Sequence, residues 1–302
     1  MAHLRSGFAA GVVAYLLWGL LPLYWPLLEP SGPVEILAHR IVWSLVVVGV
    51  LLAAWRGLDW LRVLDGRQLR LLALASVLVA VNWGTYIYGV NSERVVETSL
   101  GYFINPLVTV ALGVAVLKES LSSAQRAAVL IALVAVVVLT LDYGRPPWIA
   151  LVLAGSWALY GLVKKRADVD AVESLSVETA ILVLPAIAFL AWLAASGRGT
   201  WTTEGAGHVA LLAGAGLATA IPLLFFGAAA VRIPLVTLGL LQYLAPVMQF
   251  LIGVVVYGEP MPASRLAGFA LVWVALVIFA SDAVRSARTR SLPEPVPAGS
   301  GG

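Results

Sequence analysis

Apolar stretches of about 20 residues, the length a helix needs to cross a bilayer core about 30 Å thick, follow one another along almost the whole chain. Hydrophobic residues make up 61% of the sequence, charged residues only 12%, and the mean hydropathy is +0.95. Soluble domains carry about 25% charged residues. The pattern therefore predicts an all-α membrane protein that crosses the bilayer many times.

The apolar windows predict ten transmembrane helices. Their ranges are 7–28, 34–55, 70–91, 96–117, 122–141, 146–163, 174–195, 207–228, 234–257 and 262–281. The first window is too long for the apolar part of a signal peptide, so we expect a retained helix. The tail, 283–302, is basic and then rich in Pro, Gly and Ser, which predicts a disordered segment.

The positions of the cations predict the orientation. Most of the 19 lysines and arginines fall in connections on the same side as the N-terminus, whereas the opposite loops hold only Arg94, Arg145 and Arg198. The positive-inside rule then places both termini, and the tail, in the cytoplasm. The net charge of +3 is spread over these loops, so it does not indicate a nucleic-acid partner.

Two segments of the chain, 97–119 and 237–259, resemble each other. At an offset of 140 residues the matched pairs are Pro106 with Pro246, Gly113 with Gly253, and Glu119 with Glu259. The chain is therefore predicted to be a duplicated five-helix unit, 5–143 and 144–282. Because five is odd, the second copy would enter the membrane from the opposite side, an arrangement that recurs in transporters.

The fourth and ninth predicted helices each carry one polar or aromatic stripe. The stripes are Ser99, Tyr102, Phe103, Pro106, Thr109 and Gly113, and Gly239, Gln242, Tyr243, Pro246, Gln249 and Gly253. Proline lacks an amide hydrogen, so Pro106 and Pro246 should free the carbonyls four residues earlier. We expect these stripes to line a cavity near the middle of the membrane. The alternative is a pair of proline kinks satisfied by helix packing alone.

The third helix contains "NWGTYIYGVN", with Asn82 and Tyr86 on one face and Trp83 beside them. Amides and amphipathic aromatics suit a pocket for a partly apolar solute. The alternative is the aromatic belt at the membrane interface, which we favour for Tyr88 and Asn91.

The second helix begins "VEILAHRIVWS", so Glu35 and His39 lie one turn apart and Arg40 follows. Arg40 lies about 9 Å into the helix. It could snorkel to the headgroups, but we favour a buried role in which it binds an anionic group or pairs with a carboxylate. Glu35, His39 and Glu97 are candidates for proton coupling, although a lone histidine is more often structural.

Other charged positions have structural interpretations. Glu97 could equally serve the dipole of its helix. Glu119 and Glu259 end their helices and are predicted to organise the joints to the next ones. "SSAQ" at 122–125 predicts a capping box, and "KKR" at 164–166 predicts a topology anchor.

"EILAHR", "NW" and above all "ETSLGYFINPL" resemble the RarD-type permeases, a branch of the EamA group in the drug/metabolite transporter superfamily. The resemblance covers residues 5–282. It implies ten helices in two inverted repeats, a bacterial inner membrane, and an exporter role traditionally labelled by chloramphenicol sensitivity. It also implies that Asn82, Trp83, Tyr102 and Asn105 line a central cavity.

The sequence thus predicts a secondary transporter that works by alternating access. Its expected partners are lipid, a small-molecule substrate and protons, with no cofactor, metal or nucleic acid. No phosphate-binding glycine loop is present, and the deep helices lack aspartate and any histidine besides His39, which argues against ATP hydrolysis and intramembrane catalysis. The alternative is a structural or sensory membrane protein whose polar stripes hold helices together. Substrate identity, direction and oligomeric state stay open.

Overall fold

The structure, a computed structural model, describes residues 2–55, 64–117, 121–169, 171–230, 232–233 and 241–290. Within these ranges the chain is helical, without a strand. The helices are α1 (Ala2–Tyr24), a 3₁₀ turn (Trp25–Leu28), α2 (Pro33–Trp55), α3 (Gly66–Asn91), α4 (Val95–Leu117), α5 (Ser123–Tyr143), α6 (Trp148–Ala167), α7 (Ala171–Ala195), α8 (Gly205–Ala230), α9 (Leu244–Leu251) continued by a π-helical turn (Ile252–Val256), and α10 (Ala263–Arg290).

Length and apolar composition agree with a membrane protein. In the described ranges seven helices are long and apolar enough to cross a bilayer, and Trp148–Lys164 and Leu244–Val256 are shorter apolar helices. The prediction of an all-helical chain that crosses the membrane several times is confirmed at this level.

Local signals in the sequence set several helix ends. The Asp65 carboxylate accepts a hydrogen bond from the Gln68 amide at 2.7 Å, and the Gln68 side chain accepts one from the Asp65 amide at 3.0 Å. The capping box predicted at Ser122 and Gln125 is confirmed at the start of α5. Gly144 ends α5 with φ +64°, a left-handed conformation that glycine adopts without strain.

Two predicted helices differ from the structure. α10 continues to Arg290, so the first residues of the expected tail are helical, and 291–302 lie outside the described residues. The ninth helix was expected to be continuous over 234–257 with a proline in its middle. In the described part α9 begins at Leu244, so Pro246 lies in its first turn, where the missing amide costs no intrahelical bond. Gly239 and Glu119 also lie outside the described residues.

Helix packing follows a regular scheme. The nine most extensive packed pairs are α2 with α7, α4 with α9, α5 with α10, α3 with α6, α1 with α8, α4 with α6, α1 with α9, α2 with α8, and α3 with α7. When five is added to each helix number, counting on from α10 to α1, this set maps onto itself, whereas smaller contacts such as α2 with α3 and α4 with α10 have no counterpart of similar extent among the described residues. The first half of the chain is therefore interleaved with the second and does not form a separate bundle.

Each end of the bundle gathers one set of connections. We call the end that carries residues 25–32, 92–94, 144–147, 196–204 and 257–262 the Glu259 face, and the end that carries 64–65, 121–122 and 168–169 the terminal face. On the terminal face the Gln68 side chain donates to the Ala167 carbonyl at 3.3 Å, and the Ser122 hydroxyl donates to Asp282 at 3.0 Å.

Candidate functional site

Arg40, the eighth residue of α2, is buried inside the bundle with 4% exposure. Its guanidinium carbon lies 4.0 Å from the ring centre of Trp83 and 5.2 Å from that of Trp25. Its Nε donates to the Thr219 hydroxyl at 2.9 Å. Arg40 thus points into protein, and the alternative of a side chain that snorkels to the headgroups is wrong.

Two tyrosines extend this cluster. The rings of Tyr86 and Tyr102 meet edge to face with centres 5.7 Å apart, and both lie close enough to Arg40 to interact with its charge. We call Trp25, Arg40, Trp83, Tyr86, Tyr102 and Thr219 the Arg40 cluster. It contains three of the predicted cavity residues besides Arg40, and it adds Trp25 and Thr219, which the sequence analysis missed.

Asn82 links Tyr102 of the Arg40 cluster to α6 by hydrogen bonds. It is fully buried, and its amide donates to the Leu153 carbonyl at 2.9 Å and to the Ser156 hydroxyl at 3.0 Å. Its oxygen accepts a hydrogen bond from the Tyr102 hydroxyl at 3.3 Å. Since its amide is satisfied by α6, Asn82 acts here as a connector of α3, α4 and α6.

The remaining predicted stripe residues lie on α4, on α9 and in the turn before α9. Asn105, Gln249 and both prolines are buried, so these four residues face protein and not lipid. The Gln249 amide reaches the Trp18 carbonyl at 3.4 Å, while its buried Oε1 has no described partner. Thr109 is exposed, and its hydroxyl donates to the Asn105 carbonyl at 2.9 Å. Gln242 and Tyr243 are half-buried in the turn before α9.

A buried polar network closes the Glu259 face between α2 and α8. The Ser31 hydroxyl lies 2.5 Å from that of Thr200 and 2.9 Å from His208 Nε2. The Glu35 carboxylate accepts hydrogen bonds from the Thr200 amide at 2.8 Å and hydroxyl at 3.1 Å. Glu35 therefore joins the two halves of the chain and does not pair with Arg40.

His39 lies on the other side of α2 from the Arg40 cluster. Its ring stacks on Trp201 with centres 4.8 Å apart, and its Nε2 has no described partner. Beside it is a cavity of about 340 Å³, lined by α2, α7 and the loop at 199–202. This cavity lies between α2 and α7, not at the crossing of α4 and α9 where the sequence predicts one.

Two glutamates cap helices on the Glu259 face. Glu97 accepts hydrogen bonds from Arg145 at 2.8 Å and from the Ile149 amide of α6 at 3.0 Å. Glu259 accepts hydrogen bonds from the Val95 amide at 2.5 Å and the Val96 amide at 3.1 Å. Glu259 thus caps α4 in the other half of the chain, a contact that the predicted role at the joint with the next helix did not include.

Burial raises the pKa of the Glu259 carboxyl to about 7. The two amides and the positive charge of Arg265 act against this rise, whereas the negative charge of Glu97 adds to it. The carboxyl group that joins the halves on this face therefore titrates near neutral pH.

A second buried charge lies near the terminal face. Glu178 is fully buried, and its carboxylate contacts Lys164 at 2.8 Å, the Tyr160 hydroxyl at 2.9 Å and the Ser174 hydroxyl at 2.6 Å. Lys164 therefore has an ion-pair role beyond the expected topology anchor. The sequence held a signal for Glu178, because a carboxylate inside the apolar run "VETAILVL" needs a partner.

Together these features define a class, a polytopic helical membrane protein with a buried arginine and aromatic site near a closed face. The model of the EamA-like transporter family matches the chain twice, at residues 5–141 and 146–281. The chain belongs to this family, and its relatives place it among the RarD-type permeases.

The relatives cover almost the full length of this chain. Protein RarD of Streptomyces exfoliatus is 59% identical over 94% of this chain and 91% of its own length. The uncharacterized transporter YojE of Bacillus subtilis is 42% identical, with 94% and 96% covered, and protein RarD of Escherichia coli is 39% identical, with 95% and 98% covered. One chain of known crystal structure superposes with a TM-score of 0.59 at 20% identity, covering 90% of this chain and 96% of that one, which shows the fold alone.

Proposed function

We propose that this protein is a secondary transporter that exports a small metabolite or drug-like solute across the bacterial inner membrane by alternating access. Its ten transmembrane helices form two inverted repeats, 5–143 and 144–282, and both termini lie in the cytoplasm. The family and several relatives are named as transporters. The proposal adds the direction of transport, the location in the inner membrane and the class of solute.

Two independent features support the inverted repeats. The family model matches each half separately, at 5–141 and 146–281. The nine most extensive helix pairs also map onto themselves when five is added to every helix number, as expected if a two-fold axis in the membrane plane relates the halves. The break before Leu244 fits the discontinuous helices found at transporter sites.

The observation that carries the proposal is the position of the Arg40 cluster between the halves. Arg40 and its aromatic neighbours come from the first half, and Thr219 comes from the second. On one side of the cluster the halves are joined by Glu35 to Thr200 and by Glu259 to α4. A buried site that is closed on one face is what one half of an alternating-access cycle requires.

Protons are the proposed coupling ion. Glu35 holds the halves together on the Glu259 face, Glu97 holds α4 to the connection before α6, and His39 lies in the same region with an unpartnered ring nitrogen. A proton on any of these groups would change a contact that closes this face. The proposal therefore links protonation to opening through these three residues.

Proteoliposomes loaded with a defined mixture of small metabolites and chloramphenicol test this function. We expect selected solutes to leave vesicles that contain the protein, unchanged in mass, faster than they leave empty vesicles, and a pH gradient should alter the rate. Conversion of a solute into a new mass would indicate an enzyme. If no solute moves in either condition, the transporter proposal fails.

A structural or sensory protein is the second candidate, because Asn82, Ser156 and Tyr102 hold three helices together without needing a solute. The same vesicles separate the two candidates. A scaffold or sensor would leave all solutes inside at the rate of empty vesicles.

A further inference from the structure

The Arg40 guanidinium is a buried cation that lacks a counter-ion in the described part of the chain. The ion pairs in these ranges involve Arg94, Arg145, Lys164 and Arg265, and none includes Arg40. Only its Nε has a hydroxyl partner, Thr219, and its other contacts are the faces of two tryptophans. A buried charge needs a partner of opposite charge or a full set of hydrogen bonds, so this site is incomplete as it stands.

Two further polar groups in the cluster also lack partners. Trp25 Nε1 and the Tyr86 hydroxyl are buried without a hydrogen bond within the described residues. An indole nitrogen can only donate, and a phenol donates readily. The Trp25 ring centre lies 5.2 Å from the guanidinium carbon, and the Tyr86 ring packs on that of Tyr102, so both unpartnered donors belong to the same cluster as the guanidinium. A ligand that satisfies them must bring acceptor oxygens and a negative charge, and a carboxylate fits the fork of arginine with two parallel hydrogen bonds.

The buried acidic groups of the described residues are committed elsewhere. Glu35 accepts from Thr200, Glu97 from Arg145, and Glu178 from Lys164. None of them is available to bind an ammonium group beside the carboxylate that Arg40 would hold. The site should therefore prefer a simple acid to an amino acid of the same shape.

The walls of the cluster determine the rest of the ligand. Trp25, Trp83, Tyr86 and Tyr102 present aromatic surface, and the Tyr86 and Tyr102 rings already pack edge to face at 5.7 Å. Aromatic walls with a few fixed polar groups select ligands with a planar apolar body. A multiply charged ion such as free phosphate would find one cation and no further charge.

We infer that the Arg40 cluster binds a monocarboxylate with a planar, apolar body, its carboxylate on Arg40 and its body against Trp83 and Trp25. This rests on the proposed function, since it names the substrate class of the same site. The competing explanation is that Arg40 only joins α2, α3 and α8 through Trp83 and Thr219.

The test compares three probes with one aromatic body: 3-phenylpropanoate, its neutral amide, and phenylalanine. Binding to the purified full-length protein is measured by calorimetry and thermal shift. We expect the acid to bind at least about ten-fold more tightly than either of the other probes. The amide loses the charge-assisted contact with Arg40, and phenylalanine adds an ammonium group that has no partner in the site.

Three variants locate the site. Arg40→Gln should weaken binding of the acid by about ten-fold or more, and Trp25→Phe, which removes the unpartnered indole donor and keeps an aromatic ring, by several-fold. Arg198→Gln is the matched control, since Arg198 also lies over a tryptophan, 5.3 Å from the Trp192 ring, but on the exposed loop. If Arg40→Gln does not fold, Trp25→Phe gives the answer alone.

Equal affinity for acid and amide, or unchanged affinity of the acid in the folded Arg40 and Trp25 variants, would overturn the inference. Its failure is distinct from failure of the transporter proposal. If other solutes leave the vesicles but the acid does not bind, only the proposed substrate class is rejected. If the acid binds in a way that depends on Arg40 but no solute leaves the vesicles, the transporter proposal is rejected and the binding site is retained.

Discussion

At the scale of single residues, the buried charges have unequal surroundings. Glu178 has a cation and two hydroxyl donors, so its charge is balanced by the protein itself. Arg40 has rings and one hydroxyl. Glu178 thus belongs to an internal ion pair, whereas Arg40 is a cation that can still bind an anion. Because the ion pair is internal, removing one of its partners should lower the stability of the protein.

The ion pair of Lys164 and Glu178 gives the first prediction. Glu178→Leu alone leaves the half-buried Lys164 without its partner, and we expect the free energy of unfolding to fall by about 3 kcal/mol, as for other broken buried pairs. The double variant Glu178→Leu with Lys164→Met should recover most of this loss. Thermal unfolding in detergent measures both. Equal destabilisation in the single and double variants would contradict the ion-pair explanation.

At the scale of helices, close crossings depend on glycine. A Cβ added at Gly216 of α8 would lie 2.5 Å from the Trp43 carbonyl carbon of α2, and backbone cannot move aside as a side chain can. Gly207, in the same helix, has open space at its Cβ position. These two glycines therefore form a matched pair for testing the crossing of α2 and α8.

We expect Gly216→Ala to destabilise the protein by about 1–3 kcal/mol through overpacking. Gly207→Ala should be neutral or slightly stabilising, because alanine favours helix more than glycine does. Thermal unfolding of the two variants, side by side, is the measurement. A Gly216→Ala protein as stable as the Gly207→Ala protein would show that α2 and α8 cross less closely than described.

The cap on α4 gives a prediction for pH. The pKa of Glu259 is about 7 when it is buried against α4, above its ordinary value of 4.5, so the capped arrangement takes up a proton more readily than an open one. Its stability should be highest below about pH 4.5 and should fall as pH rises through about 7. Glu97 and Arg265 face the same carboxyl, so the effect must be isolated by substitution.

Glu259→Gln should remove this part of the pH dependence. The measurement is the difference in unfolding temperature between the parent protein and the variant from pH 5 to 8, at constant salt. We expect the parent to lose stability relative to the variant as pH rises. A constant difference across this range would show that Glu259 does not titrate there.

The sequence predicts local features of these elements well and distant partners poorly. The capping box at Ser122 and Gln125 lies within four residues, so propensity alone reveals it. The cap from Glu259 to Val95 joins positions 164 residues apart, and neither segment contains a sequence signal that identifies the other as its partner. Trp25 and Thr219 were missed for the same reason, since they become site residues only through the packing around Arg40. The break before Leu244 was missed because Pro246 fits a kink and a first turn equally well.

At the scale of the whole molecule, the most extensive helix contacts are symmetric but the chemistry is not. Arg40 and Glu178 are the eighth residues of α2 and α7, helices that correspond when the halves are exchanged. One end of the protein thus has a buried cation where the other has a buried, neutralised anion. An anion that approached the buried Arg40 would meet an uncompensated positive charge, whereas one that approached Glu178 would meet a neutralised ion pair.

The proposed orientation gives the last prediction. The chain has no native cysteine, so a single introduced one reports on its own position. Arg198→Cys should react with a membrane-impermeant maleimide in intact cells, and Arg67→Cys should react only after the membrane is opened. Both residues are exposed in the structure, so access to either depends on the side of the membrane. The reverse labelling pattern would invert the topology.

The cap that Glu259 places on α4 has a consequence for how that face opens. The carboxylate and the amides belong to different halves, so separating the halves uncovers both at once. Uncovered charges and amides draw in water. In the proposed cycle, opening would therefore be a hydration event as well as a movement, and solvent would enter the gap ahead of any cargo.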